Sequence, residues 1–157
     1  MYMSRLCLAS LVGIAAIVDD VSHRRISNWI SVSALAGGLV LQLWEGGWRG
    51  GLASLLGALV GGSVFLIFYL LGGMGAGDIK LMAGFGSILG ANGIIQATLW
   101  VAAFGGFLAV GFIVAGKLRH FWRRLLSKPA LAPEVEAKSI PYAPAIAAGV
   151  WLSLLAR

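Results

Sequence analysis

Acidic residues are scarce in this chain: six Asp and Glu in 157 residues, against twelve Lys and Arg and two His. Charged residues of both signs make up 11% of the sequence. A soluble domain carries about a quarter. That shortage excludes an ordinary water-facing surface. With 59% hydrophobic residues and a mean hydropathy of +0.91, it implies an integral membrane protein. Cysteine is almost missing too, and the single Cys7 excludes a disulfide framework or a cysteine-ligated zinc site within these residues. Cys7 lies in an apolar run, where a small buried hydrophobe is expected. His23 and His120 have no partner at ligand spacing, so no metal is expected, and no cofactor is implied. The net charge of +6 is accounted for by cytoplasmic loops, without nucleic acid as a partner. One domain, residues 1–157, is expected.

What is present is a series of apolar runs. The first span reads as Met1 to Val18, with Arg5 near enough to its end to snorkel to the interface. A polar loop follows from Asp19 to Asn28, and the second span runs from about Trp29 to Trp44, with Ser27 or Asn28 placed to cap it. Glu45 to Arg49 reads as a turn, and Gly50 to Leu71 as a third span. Ile79 to Gly90 is apolar but short against the ~20 residues a bilayer needs. Ile94 to Gly116 is a fifth span and Ile140 to Ala156 a sixth. Charge arbitrates the short fourth run. If all six cross, Arg24, Arg25, Lys80, Lys117, Arg119, Arg123, Arg124, Lys128 and Lys138 share one side, leaving Arg5, Arg49 and Arg157 on the other. That asymmetry is the positive-inside pattern, with both termini outside. The expected fold is therefore an all-α bundle of six transmembrane helices with a short fourth helix. Residues 117–126 add a basic amphipathic cytoplasmic segment suited to membrane lipids with anionic headgroups. The pairs Gly57/Gly61 and Gly86/Gly90 have the spacing that lets helices approach closely in lipid.

The apolar interiors hold no Asp, Glu, Lys or His, which argues against a small transporter. Acidic groups stand instead at the inner helix ends: Asp19 and Asp20 after the first span, and Asp78 inside the glycine-rich stretch Gly72 to Leu81. A capping role for Asp78 at the next helix is the simplest reading. Two carboxylates on one membrane face also suit general acid–base chemistry, one protonated and one ionised, activating a water against an amide. Asp20 after a helix C-terminus and Asp78 at a helix N-terminus suggest that Asp78 is the more acidic of the two and Asp20 the proton carrier. The pair would titrate as a unit.

Asp20 with Arg24-Arg25-Ile26-Ser27-Asn28, then Gly75-Ala76-Gly77-Asp78-Ile79-Lys80-Leu81, resembles the two signatures of prepilin peptidases, membrane aspartic proteases of the G-x-G-D class. The family pattern is an Asp six to eight residues before Ile-Pro-Asn, then a later G-x-G-D-x-K-[LM]. Ile140-Pro141-Tyr142-Ala143-Pro144-Ala145 is similar to the stretch that opens the family's last helix. Ser27 departs from the family's Pro. Counting from Asn28 selects Asp20, with Asp19 as second choice.

The resemblance implies catalytic Asp20 and Asp78, motif glycines Gly75 and Gly77, and a prepilin substrate with a basic leader and a hydrophobic helix. It implies cleavage at the cytoplasmic face of a bacterial inner membrane, with Lys80, Arg24 or Arg25 receiving an acidic residue of the substrate. No paired-cysteine domain is present in the sequence, so the short Tad/Flp-pilus type is expected, without N-methyltransferase activity. The alternatives are a non-catalytic membrane subunit of a pilus or secretion assembly, and a G-x-G-D protease that cuts within its substrate's helix. The latter family has its first Asp inside a helix, where this sequence reads as a loop.

Overall fold

The computed structural model describes residues 2–71, 74–125 and 142–156, with the side chains at 2, 108–109, 112–113 and 119–125 left out. Among these residues the chain is all helical: α1 (Tyr2–His23), α2 (Asn28–Leu70), α3 (Ala76–Leu125) and α4 (Ala143–Leu155). Two of these are not single rods. Gly47 (φ 58°, ψ −146°) breaks α2 and Gly90 (φ 75°, ψ 172°) breaks α3. These are backbone angles that a Cβ opposes and glycine tolerates.

Close contacts show that the chain reverses at both breaks. A methyl group placed on Gly50 would run into the carbonyl oxygen of Gln42. In one continuous helix those residues would stand about 12 Å apart. A methyl on Gly61 would meet Ile94 Cγ1 at 3.0 Å and the Met82 carbonyl carbon at 3.2 Å. Met82 and Ile94 would be about 18 Å apart along a straight helix. Each long helix is thus a hairpin of two limbs, 28–46 with 48–70 and 76–89 with 91–125.

The first limb of α3 is the centre of the bundle. Leu81, Met82, Phe85 and Ile88 are fully buried, joined by Ile94 and Val101 from the second limb and Ile146 and Val150 from α4. Small residues let the backbones close on one another. Gly57 of α2 faces Gly86 and Gly90 of α3, Gly84 faces Ala34, and Gly149 of α4 faces Val101. Lipid gives no hydrophobic drive between helices, so such close packing and interhelical hydrogen bonds carry the association. Large apolar side chains such as Leu11, Val40, Leu59 and Leu99 point outward. Among the described residues, three helices are long and apolar enough to cross a bilayer. An apolar exterior around a tight interior is the pattern of a membrane protein.

Several local expectations are corrected. The polar run after Val18 is helical, because α1 continues to His23 and places Asp19 and Asp20 inside it. The stop comes at Arg24, which takes a left-handed φ of 52° after its N–H closes on the Asp20 carbonyl at 2.8 Å. No glycine marks that stop, so no local residue signals it. Ser27 occupies the N-cap of α2 but makes no side-chain capping bond. Glu45 belongs to α2 and not to a turn, and Arg5 does not snorkel. Its guanidinium meets Glu45 at 2.7 Å and Gln42 at 3.1 Å, with Ser4 Oγ donating to Glu45 at 2.7 Å. The backbone of the basic segment at 117–125 is the end of α3. Its amphipathic faces from Arg119 onward, the side chain of His120, residues 126–141 with Ile140 and Pro141, and Gly72 and Gly73 fall outside the described residues and side chains.

Candidate active site

One end of the bundle gathers the end of α1 and the starts of α2, α3 and α4. Asp20 lies one turn inside α1, and Asp78 lies in the first turn of α3. Both side chains are buried, at 7% exposure each. Asp78 is the third residue of its helix, and its Oδ2 accepts the Gly75 N–H at 3.1 Å. This is the acidic half of a capping box, a third-position acid reaching back to the N-cap amide. The capping role read from the sequence is therefore present in this modified form. Asp20 serves another helix: its Oδ2 accepts the Ala143 N–H at 3.1 Å. Tyr142, the N-cap of α4, makes no side-chain capping bond, so Asp20 reaches across from α1 to take an amide that α4 leaves open.

The two carboxylates thus stand at the same end of the bundle, Asp20 on the start of α4 and Asp78 on the start of α3. Each has one oxygen held by a backbone N–H at a helix start, and Oδ1 of each has no hydrogen bond among the described residues. The helix-end contrast behind the asymmetry expected from the sequence is weakened here. Asp20 stands near the C-terminus of its own helix but touches the N-terminal amide of α4, so both acids face a positive helix end.

Other residues singled out in the sequence gather here as well. Lys80 Nζ donates to Asn28 Oδ1 at 2.8 Å, tying α3 to the start of α2. Gly77 lies against Ile26, and a methyl group on it would come within 3.2 Å of the Ile26 Cβ. Gly75 leaves room beside Asp78, whose Oδ2 is 3.5 Å from where its Cβ would stand. Arg24 and Arg25 are exposed on the turn between α1 and α2. Ile26 and Asn28 stand in the first signature and Ala143 in the stretch before the last helix, but the sequence assigned none of them a role in the site. Those roles depend on which helix ends meet.

The model of the type IV leader peptidase family matches residues 7–110, two thirds of the chain, and spans both aspartates. The chain belongs to that family. It is also 28% identical over 159 aligned positions to the prepilin leader peptidase/N-methyltransferase of Aeromonas hydrophila. That alignment covers 94% of this chain and 48% of the relative, so the chain spans about half the length of the curated relative it matches. No solved structure matches the chain.

Proposed function

We propose that this family member is a membrane-embedded aspartic endopeptidase that removes the leader of type IV or Flp-type prepilins at the cytoplasmic face of the inner membrane. Asp20 and Asp78 are its catalytic pair. The observation that supports the reading is that two buried carboxylates from distant parts of the chain stand on helix starts at one end of the bundle. One acid, ionised, takes a proton from a water lying between them. That water attacks the scissile carbonyl carbon, while the other acid, protonated, donates to the carbonyl oxygen. The tetrahedral intermediate collapses as a proton passes to the departing amine, and the pair returns to one shared proton.

The same reading gives the topology. The six helical limbs, 2–23, 28–46, 48–70, 76–89, 91–125 and 143–155, cross the membrane in alternation, with both termini outside. The limb 76–89 is short, but protein surrounds its second half, where residues 84–90 are all buried. An enclosed helix does not have to match the full hydrocarbon thickness. Lys80, Arg24 and Arg25 line the cytoplasmic approach and receive an acidic residue of the substrate. Peptide cleavage without methyl transfer is the activity proposed for residues 1–157.

Co-expression with a Flp-type prepilin tests the proposal. Wild type shortens the prepilin and leaves an unmethylated new N-terminus, and Asp20→Asn and Asp78→Asn at equal protein levels do not shorten it. Processing that survives either substitution refutes the catalytic assignment.

A further inference from the structure

The turn between α1 and α2 is held by a residue that this chemistry does not use. Asp19 precedes Asp20 on α1 yet engages different partners. Its Oδ2 accepts the Ser27 N–H at 2.6 Å, eight residues along, and its Oδ1 lies 3.0 Å from His23 Nδ1. Both oxygens are thus spent on the turn. Within the turn, Arg24 enters at a left-handed φ of 52°, Ser27 makes no side-chain capping bond, and residues 24–27 contain neither glycine nor proline to fix the backbone.

The turn in turn bears on the candidate site at two points. Ile26 fills the space beside Gly77, and Asn28 takes the Lys80 ammonium. Gly77 and Lys80 flank Asp78 in the first turns of α3. We propose that Asp19 is a positioning residue, whose carboxylate braces the 24–27 turn so that Ile26 and Asn28 hold the start of α3, and with it Asp78, opposite Asp20. The consequence for catalysis rests on the proposed peptidase reading, but the brace itself does not.

The geometry of Ser27 supplies a decisive test. Its φ of −62° is the angle a proline ring imposes. Proline at this position would restrain the turn covalently, yet its Cδ would occupy the space that the N–H now fills against the Asp19 carboxylate. The brace and the ring are therefore alternatives, and each fits only without the other.

Full-length protein in inverted membrane vesicles is treated with trypsin, which reads access to the exposed Arg24 and Arg25, and processing of a co-expressed Flp-type prepilin is followed in parallel. Asp19→Ala speeds cleavage in the turn about tenfold and slows processing about tenfold, as expected for loss of a charge-assisted hydrogen bond. Ser27→Pro alone does not improve on wild type, whereas Asp19→Ala with Ser27→Pro brings both readouts back to within about threefold of it. Should Asp19→Ala fail to accumulate, recovery of its level by Ser27→Pro supports the brace and no recovery overturns it. Wild-type trypsin access in Asp19→Ala, or a double variant no better than Asp19→Ala, also overturns it. If Asp20→Asn still processes prepilin, the peptidase reading fails while the trypsin measurement still decides the brace.

Discussion

Asp20 and Ala143 lie 123 residues apart in the chain, and one hydrogen bond joins them, from the Ala143 N–H to the Asp20 Oδ2 at 3.1 Å. Neither residue would bond so locally. Asp20 is within α1 with its own backbone ladder complete, and α4 begins without a capping side chain. The last helix is therefore docked onto the first through the acid proposed for catalysis. That single contact gives Asp20 two duties, holding α4 and carrying chemistry, and a substitution can separate them.

Asparagine is the variant that does so. At position 20 its side-chain oxygen still accepts from Ala143, and at position 78 it still accepts from Gly75, so each helix start keeps its partner. Neither amide can exchange a proton. Asp20→Asn and Asp78→Asn should insert and accumulate like wild type while prepilin processing falls by about 10²–10⁴-fold. Asp20→Ala should lose processing and also loosen α4, read as a lower melting temperature in detergent than Asp20→Asn.

Acid and base roles shared between two carboxylates fix the form of the pH profile. Below the lower apparent pKa of the pair both acids are protonated and no base remains. Above the higher one both are ionised and no acid remains. The rate of processing per substrate should rise and then fall with increasing pH, as a bell whose two limbs belong to the pair. A profile flat across the range where the folded protein is intact would exclude this chemistry.

How much of this was legible beforehand depends on the range of the interaction. The apolar runs, the glycine pairs and the spacing of Asp20 and Asp78 are local patterns, and they carried the all-helical membrane class and both acids of the candidate site. The breaks at Gly47 and Gly90 fall close to where the runs were divided, because glycine alone takes those angles freely. The end of α1 was misread because Arg24, a non-glycine residue, adopts the left-handed turn. The assignment of acidity missed that α4 returns to Asp20, since a helix end is charged by whatever it touches, not by its own sequence alone. Asn28 looked like a cap and is a partner of Lys80.

The glycine contacts differ enough among themselves to be ranked by experiment. A methyl group on Gly86 would overlap the carbonyl oxygen of Gly57, which is backbone and cannot swing away. One on Gly106, also within α3, would meet nothing within 4 Å. Gly86→Ala should lower stability by about 1–3 kcal/mol through overpacking. Gly106→Ala should raise it by up to about 1 kcal/mol, since alanine loses less freedom in a helix. Thermal unfolding of the detergent-solubilised variants distinguishes the two, and equal effects would mean that the close α2–α3 contact is not formed.

At the opposite end of the bundle, Arg5 and Glu45 allow a test of what holds α1 to α2. Their side chains are 21% and 7% exposed, and Gln42, bonded to Arg5, also donates to the Ser87 and Ile88 carbonyls near the Gly90 break. Removing one partner leaves a largely buried charge uncompensated, whereas removing both leaves none. Arg5→Met should therefore cost about 1–3 kcal/mol, and Arg5→Met with Glu45→Met should cost less than Arg5→Met alone, a coupling read from the double-mutant cycle. Processing measured well below the melting temperature should be unchanged in Arg5→Met, in Glu45→Met and in the double variant, because this cluster and the aspartates occupy opposite ends. If the two single effects simply add, the ion pair contributes nothing to the docking of α1. The hold on α1 would then fall to α4, through Gly13 against Trp151 and the Asp20–Ala143 bond.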